Sequence, residues 1–236
     1  MNQLGQALKS AFDKLHRLGV EPPLDLIADY MLAVKDFEFF DETLRRLIRS
    51  LYNGQIGGEF TEILNNLIVG QIAQAYEQAW IEAGNQLPAP EYLRDEAQAD
   101  MLQSQGYVQQ LFRDIIDARV EQTGLDPLLA RSKLWANRYN ESKNNATALI
   151  ANANGERMMW QLGPTEDHCE TCAALNGKVA FASEWRASGF QPQNAPNALL
   201  ECGGWNCGCE LVTTDQRRSP NAMSELMNIA VLRSGI

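Results

Sequence analysis

Apolar residues recur at three- and four-residue steps through most of the first 150 positions. Leu4, Leu8, Phe12, Leu15 and Leu18 lay one stripe along a short opening helix. Gly19 and the pair Pro22-Pro23 end it and start the next, since proline is accepted in a first helical turn. There Leu26, Ile27, Tyr30, Met31 and Val34 form a second stripe. Asp41 is expected to N-cap a helix that carries Leu44, Leu47, Ile48 and Leu51 and is closed by Gly54. A longer helix follows Gly57-Gly58: from Phe60, Ile63 and Leu64 through Ile72, Tyr76, Trp80 and Ala83 the helical period holds for more than six turns, until Gly84 and Leu87-Pro88-Ala89-Pro90 stop it. Tyr92 to Val120 repeats the pattern through Leu93, Met101, Val108, Leu111, Ile115 and Ile116, with Gly106 costing the middle about 1 kcal/mol relative to alanine. Gly124, Asp126 and Pro127 mark a turn before a last helical stretch, Leu128 to about Ala153.

The pattern changes at the turn-forming run Asn152-Ala153-Asn154-Gly155. Beyond it, Met158-Met159-Trp160-Gln161-Leu162, Lys178-Val179-Ala180-Phe181 and Glu210-Leu211-Val212-Thr213 read as short strands. An amphipathic helix is predicted from near Ser219-Pro220, with Met223, Leu226, Met227 and Val231 on one face. The expected fold is mainly α: a helical domain over 1–153, a small α+β module with short strands over 154–215, and an amphipathic tail over 216–236.

Composition adds limits rather than a function. The chain is 45% hydrophobic and 21% charged, the balance of a globular protein. No run of 18 apolar residues predicts a membrane span. Met1 to Leu18 lacks the apolar core and cleavage site of a secretory signal, so synthesis in the cytosol is expected. The net charge of −10 opposes a duplex-binding surface, which needs clustered Lys and Arg to displace counterions. Between Trp160 and Asp215, seven acids against two bases leave −5 before any thiolate is counted.

Chemistry is concentrated in the cysteines. All five stand after residue 168, at positions 169, 172, 202, 207 and 209, in the pattern C-x2-C, 29 residues, C-x4-C-x-C. A thiolate pair on a tight turn grips one metal ion, and two such pairs complete a tetrahedral sulfur site. Zinc is the expected ion, because soft thiolates in a closed shell suit it and no redox role is required. Cys169, Cys172, Cys207 and Cys209 form the first-choice set and Cys202 the main substitute, with Cys202–Cys207 an alternative second pair and His168 a sixth donor. Disulfides fit poorly with a cytosolic product and an odd count. A thioredoxin-like redox pair would need a sheet that the helical part does not supply. His168-Cys169-Glu170 matches the H-x-E of zinc deaminases only superficially, since their P-C-x-x-C lies downstream of it. His16 reads as a surface or boundary residue, and Trp160, Trp185 and Trp205 as core for a small module. No phosphate loop, nucleophile elbow or metalloprotease helix motif occurs, so no enzymatic activity is expected.

The run W-x-x-G-P-T-E-D-H-C-E-T-C-A-A-L-N-G-K-V, followed by a Pro-containing stretch and C-G-G-W-N-C-G-C-E-L, resembles the C-terminal region of the phage head morphogenesis, or minor head, protein family of tailed phages, the group that includes the phage Mu minor head protein. In that family a C-x-x-C followed by L-x-G precedes a C-x-C. Here those positions are Cys169, Cys172, Leu175, Gly177, Cys207 and Cys209. Many members carry histidine and proline just before the final C-x-C, where this chain has Gly204-Trp205-Asn206; the resemblance leaves the third ligand open and suggests Cys202 in place of the family's histidine. The strong motif covers about 55 residues, Gly155 to Leu211. The resemblance implies a virion component made in the host cytoplasm and present in few copies. Its partners would be the portal protein and the major capsid or scaffolding protein. A zinc-ribbon nucleic-acid-binding or regulatory protein is the alternative.

Overall fold

The computed structural model describes residues 37–136, 138–163, 167–204 and 207–234. The two stripes expected before residue 37, His16 and Trp205 lie outside them. The chain is mainly helical with one small antiparallel sheet, as the hydrophobic pattern predicts. It divides into two compact units, Met1–Ala75 with Pro90–Tyr139, and Tyr76–Ala89 with Asn140–Ile236.

The first unit contains helix α1 (Phe37–Tyr52), most of α2 (Glu59–Glu82), α3 (Glu91–Val120) and α4 (Asp126–Ala136). Leu44, Leu47, Ile48 and Leu51 of α1 are fully buried and repeat at helical steps. Phe60, Ile63, Leu64, Leu67, Ile68 and Ile72 do the same on α2. Each such side chain contributes roughly 1.5–3 kcal/mol by leaving water. Pro127 lies in the first turn of α4, where its missing N–H costs nothing. Gly106 is exposed, and α3 runs through it.

Asp41 is not the N-cap expected of it. The helix already includes Phe37, and Asp41 lies one turn inside. Its carboxylate accepts from Arg45 Nε at 2.6 Å and from the buried Ser132 hydroxyl of α4. A cap and a polar link between packed helices call for the same short acidic residue, and only the packing partner distinguishes them.

The second unit carries the cysteines. It takes in the end of α2, helix α5 (Arg138–Ala153) from Asn140 onward, and strands β1 (Arg157–Gln161), β2 (Val179–Phe181) and β3 (Glu210–Thr213), with α6 (Glu170–Leu175), α7 (Ala182–Ser188) and α8 (Ala222–Ser234). The sheet order is β2-β1-β3, with Met159 opposite both Val179 and Val212 and Trp160 opposite Leu211. Burial alternates along β1, so Met158 and Trp160 face the core. Trp160 and Trp185 meet at 5.8 Å between ring centroids, and the Trp185 indole N–H donates to the Met158 carbonyl at 3.0 Å. Both tryptophans are core, as expected.

The tail closes this unit. Ser219 exchanges hydrogen bonds with the outer edge of β2, its N–H donating to Val179 O at 2.8 Å and its hydroxyl accepting from Val179 N at 2.9 Å. That covers an edge strand that would otherwise present unpaired backbone. Ala222 and Leu226 of α8 are buried and Ile229 packs beside them, while Met227 and Val231 are exposed. The buried face is therefore rotated from the predicted one. Lys178 pairs with Glu225 across the same junction.

Candidate metal centre

Three chain segments converge on the cysteines, and each is held by local hydrogen bonds. Cys169 is the N-cap of α6, its sulfur accepting from the Cys172 N–H at 3.4 Å. That single turn places Cys169 and Cys172 side by side. The loop bearing Cys202 is fastened to the same helix, where Glu201 accepts from Glu170 N at 2.8 Å and the Glu201 N–H donates to Thr171 Oγ1 at 3.3 Å. The Cys207-Gly208-Cys209 run enters β3, and Gln193 Nε2 donates to the Cys209 carbonyl at 3.0 Å.

Glycine is required where these segments cross. A β-carbon on Gly163 would fall 1.9 Å from the Gly208 carbonyl oxygen, and one on Gly204, at φ +80°, would fall 2.5 Å from the Asn194 carbonyl oxygen. Gly163 after β1, Gly204 and Gly208 are thus sites of close backbone contact, beyond being turn glycines.

All five cysteines are free thiols, and they come together in two overlapping groups of three. The sulfurs of Cys169, Cys172 and Cys202 lie within 4.8 Å of one another, as do those of Cys172, Cys207 and Cys209. Cys172 belongs to both, and its sulfur is 4.0 Å from that of Cys207. His168 Nδ1 is 4.0 Å from the Cys209 sulfur. A tetrahedral shell with metal–sulfur bonds of about 2.3 Å sets its sulfurs roughly 3.8 Å apart, so small side-chain adjustments bring either group onto an ion. Cys172, Cys207 and Cys209 are buried, whereas Cys169 and Cys202 are half-buried. The first-choice set of Cys169, Cys172, Cys207 and Cys209 is split between the two groups.

The electrostatics prepare a soft donor set. Thiols of Cys172 and Cys207 hydrogen-bond to Cys209, the Gly163 N–H adds to them against the opposing effect of burial, and Cys209 is lowered to about 3. The Trp160 indole N–H does not meet hydrogen-bond geometry with any acceptor, yet it lies close enough to the Cys209 sulfur to favour the thiolate. Cys172 is pushed far up, first by donating toward Cys207 and Cys209 and then by burial. Burial chiefly raises Cys202, to about 11. Burial opposes ionisation of Cys169 too, but hydrogen bonds led by the backbone N–H groups of Cys172 and Cys202 outweigh it and hold the thiol below its ordinary value. A divalent cation held by these sulfurs would displace the thiol protons.

No family model, curated protein or solved structure matches the chain. What the donors can do chemically therefore rests on their own geometry. The cysteine clusters can hold a metal ion. A separate cleft of about 500 Å³ in the same unit is walled by Asn140, Asn144, Thr147, Glu156, Gln193 and Thr213, among others, and Gln193 also donates to the Cys209 carbonyl. Gln193 and Glu201 support the centre yet carry no sequence signal of their own, and Gly163 stands in the W-x-x-G-P run without its contact being legible there. Each acts through a partner far away in the chain. Among the described residues, no helix is long and apolar enough to cross a membrane.

Proposed function

We propose that this chain is a minor head protein of a tailed phage, in which a structural zinc ion staples the cysteine-bearing unit and the helices provide contact surfaces for assembly. The observation that carries this reading is the convergence of Cys169, Cys172, Cys202, Cys207 and Cys209 into two overlapping groups, from the same spacing that resembles the minor head family. The zinc part follows from the donors. Clustered thiolates, three of them buried, favour a tetrahedral d10 ion held for folding. The partners are the portal protein and the major capsid or scaffolding protein, the product oligomerises in the virion, and no reaction is assigned to it.

The test is compositional. Purified particles of the phage that encodes this chain are probed with an antibody against it, and the recombinant protein is assayed for zinc. A few copies per virion, co-purifying with the portal protein, and zinc in the recombinant protein are expected. Absence from finished particles and from assembly intermediates would overturn the assembly role. Absence of metal would overturn the staple.

A further inference from the structure

The two edges of the sheet differ. The outer edge of β2 is closed by Ser219 of the tail, whereas on the outer side of β3 Gln193 Nε2 takes the Cys209 carbonyl at 3.0 Å and leaves the strand itself uncovered. We propose that this open edge, with the acid-lined cleft beside it, receives an extended basic segment of a partner protein as an added strand.

The register decides which groups the edge presents. In an antiparallel pair, the N–H and C=O of successive residues turn to opposite sides. Thr214 N donates to Arg157 O at 3.0 Å and Met159 stands opposite Val212, so Glu210, Val212 and Thr214 turn toward β1. Leu211 and Thr213 turn theirs away, in the same sense as the Cys209 carbonyl. Among the described residues, nothing pairs with the outward groups of Leu211 and Thr213.

The cleft of about 500 Å³ runs along this edge. All four residues of β3 line it, and because neighbours on a strand point to opposite faces, only the edge brings them together there. Asn140, Lys143, Asn144 and Thr147, spaced along one face of α5, line it as well. Backbone pairing would supply affinity to an incoming strand, and its alternate side chains specificity.

Charge selects the partner. The charged residues of the cleft are Glu82, Glu156 and Glu210 against Lys143, and Lys143 is engaged by Glu82 at 2.7 Å. Glu210 stands at the start of β3, and Glu156 lies near its end with Asp215 beyond. Lysine or arginine on the added strand offsets this field. A second copy of the chain does not, since at a net charge of −10 it brings the same acids with it. Shortness alone does not account for the open edge, because β2, with three residues against four, is covered nonetheless.

The test uses the full chain and a synthetic peptide of alternating lysine and valine, titrated together and followed by amide NMR and hydrogen exchange. Binding is expected to slow exchange at Leu211 and Thr213 and to leave Val212, already paired with β1, unchanged. A peptide of alternating glutamate and valine should not bind. Thr213→Pro removes an outward N–H without touching the ladder to β1, and should weaken binding about tenfold while keeping the near-UV circular dichroism of the tryptophan core. Glu210→Lys should weaken it more at low salt than at high salt. No added protection at Leu211 and Thr213 of the unaltered chain would overturn the proposal and leave a merely blunted edge. Equal binding of a lysine–valine peptide whose edge-facing amides are N-methylated would overturn it too, by showing charge attraction without strand pairing. Equal binding of the acidic peptide would overturn the basic partner. Protection that grows with protein concentration in the absence of peptide would overturn it in favour of a second copy.

Discussion

The backbones of Gly163 and Gly208 touch: a β-carbon added to Gly163 would sit 1.9 Å from the Gly208 carbonyl oxygen. This contact sets the loop leaving β1 against the Cys207-Gly208-Cys209 run and directs the Gly163 N–H to the Cys209 sulfur. Gly163→Ala must push the two segments apart, because the obstruction is backbone and has no rotamer to adopt. We expect a loss of roughly 3 kcal/mol, the upper end of ordinary single substitutions, with weakened metal binding. Chemical denaturation followed by near-UV circular dichroism checks it. An alanine variant with unchanged midpoint and metal content would show that the approach is not maintained in solution.

Removing metal should separate the two units in stability. Ligation of a structural zinc supplies folding free energy on the order of 10 kcal/mol, and the ligands all belong to the unit of Asn140–Ile236 with Tyr76–Ala89. Chelation is expected to expose the amides of β1 and β3 to hydrogen exchange and to leave those of α3 protected. Equal deprotection of α3 would mean the metal centre stabilises the whole chain.

The C-terminal helix offers a comparison of faces. Leu226 is 1% exposed and Met227 42%. Leu226→Ala should cost about 2–5 kcal/mol through lost burial and a residual cavity. Met227→Ala should stay within about 0.5 kcal/mol. Urea midpoints for the two variants decide it, and comparable losses at both positions would restore the face read from periodicity, which holds them together.

A pH effect follows from the Glu184–Arg218 pair. Arg218 Nε donates to the Glu184 carboxylate at 2.8 Å, and this partner, with the Phe181 N–H, outweighs burial and holds the Glu184 carboxyl below its ordinary range. The sign is that of a depressed acid: its contribution is complete above the unfolded-state value and disappears as pH falls through the lower folded-state one. Arg218→Gln should therefore shift the acid-unfolding midpoint to higher pH and leave stability below the folded-state pKa of Glu184 nearly unchanged. Identical acid transitions in the two proteins would remove the pair as a contributor.

In the first unit, Ser132→Ala takes a hydroxyl donor from the Asp41 carboxylate in a buried position. The expected cost is about 1.5–3 kcal/mol, the range for hydrogen bonds to charged groups. A thermal melt of the variant is sufficient, and a negligible change would return Asp41 to a local role within its own helix.

Much of this architecture is written in local spacing. The recurrence of Phe60, Ile63, Leu64, Leu67, Ile68 and Ile72 marks α2 because a 3.6-residue period puts them on one face, wherever the helix packs. The alternation at Met158 and Trp160 marks β1 for the same kind of reason. The C-x2-C and C-x-C spacings located the cysteine cluster, since thiol pairs on tight turns are a property of a few consecutive residues. Other features required segments distant in the chain to meet. Asp41 reads as a cap until Ser132, 91 residues away, supplies its partner. Leu226 and Met227 are adjacent and similarly apolar, and only the body beneath α8 distinguishes them. Five cysteines in a row of spacings do not say which one stands between the others. Cys172 takes that position because the turn of α6, the Cys202 loop and the run into β3 meet at its sulfur. Local periodicity determined the elements and the donors; long-range packing decided who shares a sulfur, because that depends on where separate backbones cross.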